Sequence, residues 1–390
     1  MSNGSGDLAK MPLSRPGRKT ARLATDTIAP AKLASAIKTY AAASSLLRSP
    51  NVLQSGAGVS ENRQVDENRM TLFHLDGERH RKRRAAVAPF FTLRAIKDRY
   101  EPIMEATSKR IVARIAADRQ VRLDKLAFQY AVAVAAEVLG IDHSDLPALT
   151  ARIANTINTD PASNRPVKAE SDSAVRQFFE LDVLPAIEAR RSDRREDVIS
   201  RMLDAGASED LIHTEVRSYA FAGMVTTREL IVMCAWYMLD DPKLKARFLD
   251  GSGRVQLTIV DEILRLEPIV GYIRRYTSAD IELPGHGHVP AGTSLTIDVR
   301  RANTDEAATG PCPHMIDPQR AATRTPGAGY MSFGDGPHRC PGAQLGLAEA
   351  RAFLDKLLRL PGLRFVEEPE LAWFKPIASY VFLKAELTCG

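Results

Sequence analysis

The segment Phe333-Gly334-Asp335-Gly336-Pro337-His338-Arg339-Cys340-Pro341-Gly342 constrains this chain more than any other. It joins a glycine-rich bend, a pair of basic side chains and a single cysteine. It then runs into Ala343, Leu345, Leu347 and Ala348 at helical spacing. Gly334, Gly336 and Gly342 permit backbone angles and close approaches that a side chain would block. Cys340 falls at the start of the helix that follows, where unpaired N–H groups and the helix dipole favour a thiolate. Structural zinc asks for four ligands, and no second cysteine is near. A lone thiolate suits haem iron, whose remaining ligands come from the macrocycle.

The rest of the composition narrows the class. A chain of 390 residues, 44% hydrophobic and 26% charged, can bury a large core in the manner of an ordinary globular protein. Its four cysteines (Cys234, Cys312, Cys340, Cys389) form no C-x-x-C pair, which speaks against a disulfide framework. No apolar run reaches the roughly 20 residues that span a bilayer. The polar, basic opening (Lys10, Arg15, Arg18, Lys19, Arg22) lacks the apolar centre of a signal peptide. Residues 1–30 therefore read as a poorly ordered segment, 31–390 as a single domain, and the protein as cytoplasmic, with no membrane association. The net charge of +5 is modest, with one dense basic run at Arg79–Arg84. No aromatic residue is interleaved there to stack on bases, so a docking face for an acidic protein is a better reading than nucleic acid.

Helical periodicity dominates the pattern. Helices are expected at Ala34–Leu47, Arg79–Phe91, Leu93–Ala117, Leu123–Leu139, Ser173–Arg191, Glu196–Ala205, Leu257–Leu266 and Ala343–Leu360. The longest is Glu209–Leu239, apolar enough from Tyr219 to Val225 to be buried at its middle. Residues 51–72 and Asp160–Val167 read as loops. Tyr272–Asp298 changes to short β-rich runs separated by Pro-Gly punctuation, and Leu363–Thr388 again reads as strands.

The cysteine segment resembles the haem-binding loop of the cytochrome P-450 superfamily, F-x-x-G-x-H/R-x-C-x-G. Phe333, Gly336, His338, Cys340 and Gly342 fill its fixed positions. The resemblance covers roughly residues 35–390. It implies a mainly α fold, a large helical domain with a small β-sheet lobe, and haem b bound through Cys340. Glu262 and Arg265 stand three apart and so share a helix face. Alone they would read as a surface ion pair of little worth. By resemblance they are the family's E-x-x-R, completed by Arg320 into a structural triad. Buried haem carboxylates need cationic or hydrogen-bonding partners. The resemblance assigns that work to His80 and Arg84, an H-x-x-x-R one helical turn apart, to Arg275 in preference to Arg274, and to His338.

The central helix carries Ala222-Gly223-Met224-Val225-Thr226-Thr227, similar to the family's A-G-x-[D/E]-T-T. The resemblance makes Ala222, Gly223, Thr226 and Thr227 catalytic: the small pair leaves room for dioxygen, and Thr226 hydrogen-bonds oxygen or a water. The acid is replaced by Val225, which cannot relay a proton. Arg228, Glu229 or the substrate could do so instead. Equally, the acid's position could point away from the haem, or the chemistry could be oxidative coupling, peroxide-driven, or absent in a binding or sensor protein. Substrate contacts by family position include Tyr219, Val270, Tyr272 and Ile377, with Lys375 as a possible polar handle. The resemblance as a whole implies a monomeric monooxygenase that oxidises a small organic molecule. Electrons would come from a ferredoxin-type donor and its reductase, and tailoring of secondary metabolites is a plausible setting.

Overall fold

The computed structural model describes residues 36–55, 70–157, 168–320, 330–374 and 377–390. The expectation for residues 1–30 and the loop Asp160–Val167 lie outside them. The first helix among the described residues, α1 (Tyr40–Arg48), buries Ala42, Ala43, Leu46 and Leu47 and stops where Ser49 turns extended before Pro50. It starts later than its periodicity suggests. Ile37 instead forms a parallel bridge with Ile297, and its N–H donates to Thr296 O at 2.8 Å. A short strand β1 (Val52–Gln54) follows. Then come the basic helix α2 (Gly77–Val87), a 3-10 turn at Ala88–Phe91, and α3 (Glu101–Asp118).

The expected helix over Leu93–Ala117 contains a widened π turn at Ile96–Tyr100, immediately before Pro102. A second such turn at Phe179–Val183 lies between α6 (Lys168–Phe178) and α7 (Leu184–Ser192), just before Pro185. Proline lacks the N–H that would close the regular ladder, so the turn widens ahead of it. Between these stand β2 (Gln120–Arg122), α4 (Leu123–Leu139) and α5 (Leu146–Thr156). Next come α8 (Val198–Asp204) and α9 (Glu209–Ala220), then α10 (Thr226–Asp240), α11 (Pro242–Asp250) and α12 (Gly253–Leu266). Helices α5 and α11 were not expected from periodicity. Their signal is an aspartate cap with proline in the first turn: Asp145 accepts from Ala148 N, and Asp241 from Lys243 and Leu244 N.

The sheets are small and antiparallel. β1 pairs with β3 (Tyr272–Thr277), which pairs with β6 (Ser294–Asp298), so that Gln54 faces Arg275 across the ladder. β4 (Ile281–Leu283) and β5 (Gly287–Val289) form a hairpin. After α13 (Val299–Asn303), α14 (Glu306–Thr309) and α15 (Ala343–Leu357), the tail adds β7 (Arg364–Phe365), β8 (Glu370–Phe374), β9 (Ser379–Leu383) and β10 (Glu386–Thr388). β10 joins β2 to β7, and β8 pairs with β9. One apolar core unites the helices, and a smaller one lies between α1 and the β3–β6 region. Among the described residues no helix is long and apolar enough to cross a membrane.

Candidate functional site around Cys340

Short-range bonds fold the cysteine loop tightly. Gly334 N donates to Met331 O, Arg339 N to Gly336 O, and Cys340 N to Phe333 O at 2.8 Å. Gly336 has φ +64°, and a Cβ there would stand 2.2 Å from Leu47 O of α1. Only glycine fits that approach. Asp335, unremarked in the sequence, clamps the loop to α1. It accepts from Ser44 Oγ at 2.7 Å, Arg48 Nε at 2.9 Å and Gly336 N at 2.7 Å.

Cys340 lies at core depth yet keeps accessible area, as a side chain does when it lines an internal hollow. Burial pushes its thiol up; the Gly342 N–H, Arg84 and Arg339 pull it back. At this depth desolvation opposes the thiolate, while the backbone N–H and the two guanidiniums favour it. Among the described residues no group of three or more His, Cys, Asp or Glu stands ready to hold a metal ion, so Cys340 is a lone protein donor.

The basic residues anticipated for haem carboxylates converge near this loop. Arg84 donates through Nη2 to Arg339 O at 2.6 Å, and its charge reaches both Cys340 and Tyr219. Burial lowers its pKa. The β alternation turns Arg274 outward and Arg275 inward, leaving Arg275 only 8% exposed. It donates to Arg274 O at 2.7 Å, and among the described residues no carboxylate pairs with it. Burial brings it down to about 10 despite the attraction of Asp76. His80 is 3% exposed and lies against His338, ring centroids 4.0 Å apart. Burial, then His338 and Arg84, lower it to about 4. Buried cations without carboxylate partners are costly, and bound carboxylates would relieve that cost. A lone thiol beside such cations suits an anionic, macrocyclic metal cofactor, and the residues present fit haem.

Phe221–Val225 forms a third π turn, this one with no proline behind it. There the Thr226 hydroxyl donates to Ala222 O at 2.6 Å. Tyr219, Ala222, Gly223 and Thr226 share one helix face. Ala222 and Gly223 are exposed at mid-helix, and a Cβ on Gly223 would meet nothing within 4 Å, so this face borders open space. Val225 is 2% exposed and packs in the core instead. Thr227 is also buried, its hydroxyl lying toward Gly346 of α15. The two threonines therefore do not share a surface.

Glu229 is fully buried and pairs with Arg228, while its other oxygen accepts Phe382 N of β9 at 2.8 Å. Its carboxylate is committed to those partners, which leaves it poorly placed as the proton relay considered from sequence. Of the anticipated substrate contacts, Val270, Tyr272 and Ile377 gather where Gly271 N donates to Ile377 O at 3.3 Å. Tyr219 lies on α9. Phe221 and Phe374, missed in the sequence, link the two regions with rings 6.2 Å apart. Lys375 lies outside the described residues.

Behind the loop, Glu262, Arg265 and Arg320 are buried together rather than paired at a surface. Arg265 grips Glu262 with two bonds of 2.7 and 3.0 Å, and Arg320 Nε adds a third at 3.2 Å. The spare donors go to carbonyls of Asn303, Pro313 and Met315 from Arg265, and of Thr309, Cys312 and Met315 from Arg320.

Comparisons agree with this geometry. Residues 257–367 match the family model described as Cytochrome P450. The chain is 28% identical over 333 residues to "Cytochrome P-450 monooxygenase DoxA" of Streptomyces sp. (strain C5), covering 78% of this chain and 74% of that protein. It is 28% identical over 298 residues to the erythromycin C-12 hydroxylase of Saccharopolyspora erythraea, covering 74% and 72%. The fold is shared with P450BioI in complex with an acyl carrier protein (TM-score 0.77, 22% identity, 97% and 99% covered). It is also shared with a mutant of P450 EryK (TM-score 0.76, 24% identity, 97% and 98% covered). The chain thus shares the cytochrome P450 fold and is similar in sequence to cytochrome P450 monooxygenases, a likeness that implies a cysteine-ligated haem.

Proposed function

We propose that this monooxygenase oxidises a small organic molecule in the tailoring of a natural product, acting as a cytoplasmic, single-domain monomer with a separate ferredoxin-type donor and its reductase. The observation that carries the site is the meeting of a lone core-depth thiol with Arg84 and the buried Arg275, neither of which has a carboxylate partner among the described residues. Relatives named for work on erythromycin and on mycinamicin IV support the natural-product setting.

Cys340 is the proposed iron ligand, with Phe333, His338 and Gly342 shaping its loop. His80, Arg84 and Arg275 supply charge and N–H groups for the haem carboxylates. Bound haem supplies the activation of dioxygen by reduced iron. Ala222 and Gly223 keep the facing helix low, and Tyr219, Val270, Tyr272 and Ile377 would orient the substrate. Thr226 holds a proton at Oγ1, parked on Ala222 O, from where the hydroxyl can turn toward a water in the hollow. Thr227 packs behind it against α15. Glu262, Arg265 and Arg320 brace the loop from behind.

A reading without turnover, or with peroxide chemistry, is motivated by Val225. The burial of Val225 in the core favours the monooxygenase, because an acid at that position would not face the hollow. Exposed Arg81 and Lys82 on α2, with Arg79, form a basic surface for an acidic electron carrier. Charge reversal at Arg79 and Lys82 should slow reduction by that carrier and spare peroxide-driven turnover; equal loss of both would reject the surface.

The test of the whole reading is the visible spectrum of the reduced protein with carbon monoxide. A Soret band shifted far to the red is expected. A band typical of neutral-ligand haem would remove its chemical basis.

A further inference from the structure

Two segments beside the hollow cross backbone on backbone. Gly271 stands between α12 and β3, and Ala378 stands just before β9. A Cβ on Gly271 would lie 2.4 Å from Ala378 O and 3.4 Å from Ser379 Cβ. The nearer atom is main chain, so no change of rotamer could relieve the contact. Gly271 does not have a left-handed backbone, and glycine is therefore needed there for room alone.

Ala378 carries the conformational cost instead. Its φ is +47°, a region that residues with a side chain rarely enter. Outliers of this kind persist where the surroundings hold them. Hydrogen bonds do so from both segments. Gly271 N donates to Ile377 O at 3.3 Å, Ser379 Oγ to Pro268 O at 3.4 Å, and Val299 N fixes Gly271 O from the other side at 3.0 Å.

One side of the crossing is open. Ile269 and Ile377 are 6% and 4% exposed and pack in the core. Val270, Tyr272 and Ala378 are only half-buried. Phe374, four residues before Ala378, meets Phe221 of the central π turn, so the crossing borders the same hollow as Ala222 and Gly223.

We infer that the crossing of Gly271 and Ala378 is a specificity-determining joint. By fixing how far residues 270–272 stand from residues 377–378, it sets the largest group that fits on that side of the hollow. This rests on the haem and substrate site proposed above. Cβ atoms essentially never come within 3.0 Å of another heavy atom, so a methyl at position 271 must part the two segments.

The test uses two nitrogen ligands of ferric haem and needs neither turnover nor the natural substrate. Imidazole and phenylimidazole each move the Soret band to the red on binding iron, and only the second must find room for a benzene ring. Gly271→Ala should tighten phenylimidazole relative to imidazole by about tenfold, the scale on which a pocket reads one carbon. Imidazole itself should be unmoved. Ser379→Ala cuts the tie to Pro268 without adding bulk. It should shift the ratio in the same direction by less, and it carries the test should Gly271→Ala fail to load haem. The inference is overturned if the ratio stands still in both variants, if it moves the other way, or if both ligands change together as in a general disturbance of the fold. Failure of the haem reading would look different, because the wild-type protein would then show neither a Soret shift with imidazole nor the far-red reduced carbon monoxide band.

Discussion

Two clusters rich in basic side chains, one of Glu262, Arg265 and Arg320 and one of His80, Arg84 and Arg275, are built on opposite plans. In the Glu262–Arg265–Arg320 cluster the carboxylate is shared between two guanidiniums, and the spare N–H groups end on backbone carbonyls. Asp317 N adds a further bond to Glu262 at 2.9 Å. The cluster of His80, Arg84 and Arg275 does not close. Among the described residues Arg84 and Arg275 donate to backbone carbonyls and to no carboxylate, and burial lowers the pKa of all three. A buried ion cluster that satisfies itself braces a fold, whereas one that lacks counter-charge is waiting for a ligand. The same residue types thus serve two purposes, and the accounting of partners separates them.

The sharpest way to break this comparison is at the ligand. Cys340→Ala should abolish the far-red band of the reduced carbon monoxide complex entirely; its survival would place the iron ligand elsewhere. Next comes the closed cluster. Glu262→Ala leaves two buried guanidiniums without their carboxylate and should cost about 3–5 kcal/mol, read as a lower urea midpoint. An unchanged midpoint would strip the triad of its bracing role.

The open cluster should respond in the opposite sense. Arg275→Leu removes a buried cation without orphaning a carboxylate, so the urea midpoint of the apoprotein should hold or rise. Haem transfer to apomyoglobin should meanwhile quicken by about tenfold. Destabilisation like that of Glu262→Ala would erase the distinction between the clusters. Val225→Asp should cost about 1–3 kcal/mol, since it buries an unpaired carboxylate. It should not raise the product formed per NADPH consumed. Better coupling at unchanged stability would show that the position does face the hollow.

The smallest effect is expected at Glu349 on α15, a third kind of buried charge. One of its oxygens has no partner, and burial holds its pKa well above the usual range. From the ordinary carboxylate pKa of about 4.3 upward, the folded state keeps a proton that the unfolded state releases. Stability contributed by this group therefore falls as pH rises through that window. Glu349→Gln should flatten the fall and gain about 1 kcal/mol at neutral pH, read from urea midpoints between about pH 5 and about pH 8. An unchanged slope would mean that Glu349 ionises normally.

Much of the site was legible in advance because its residues cluster in short segments. The cysteine loop, H-x-x-x-R, E-x-x-R and the small pair at Ala222 and Gly223 are each local patterns. Which of Arg274 and Arg275 turns inward was not stated in advance; β alternation turns Arg275 inward. The helical majority and the late β-rich portions also followed from periodicity, though α1 begins later than expected and α5 and α11 were missed. Residues whose partners lie far along the chain were not legible. Asp335 contacts α1, 291 positions from Ser44, and Asp76 meets His338 across 262 positions. An aspartate before a helix reads as a cap, and nothing local says that it will turn inward.

The sequence by itself determined the reaction class, because a lone cysteine in a glycine-built loop carries its chemistry in its own atoms and spacing. It also determined which side chains are short enough to leave open space beside the central helix. Only the tertiary structure decided which charges are closed and which are open. It likewise decided that Val225 faces the core. Pairing, burial and desolvation depend on what other segments bring to the same place. No local pattern encodes that, since the free energy of a buried charge is a property of its surroundings.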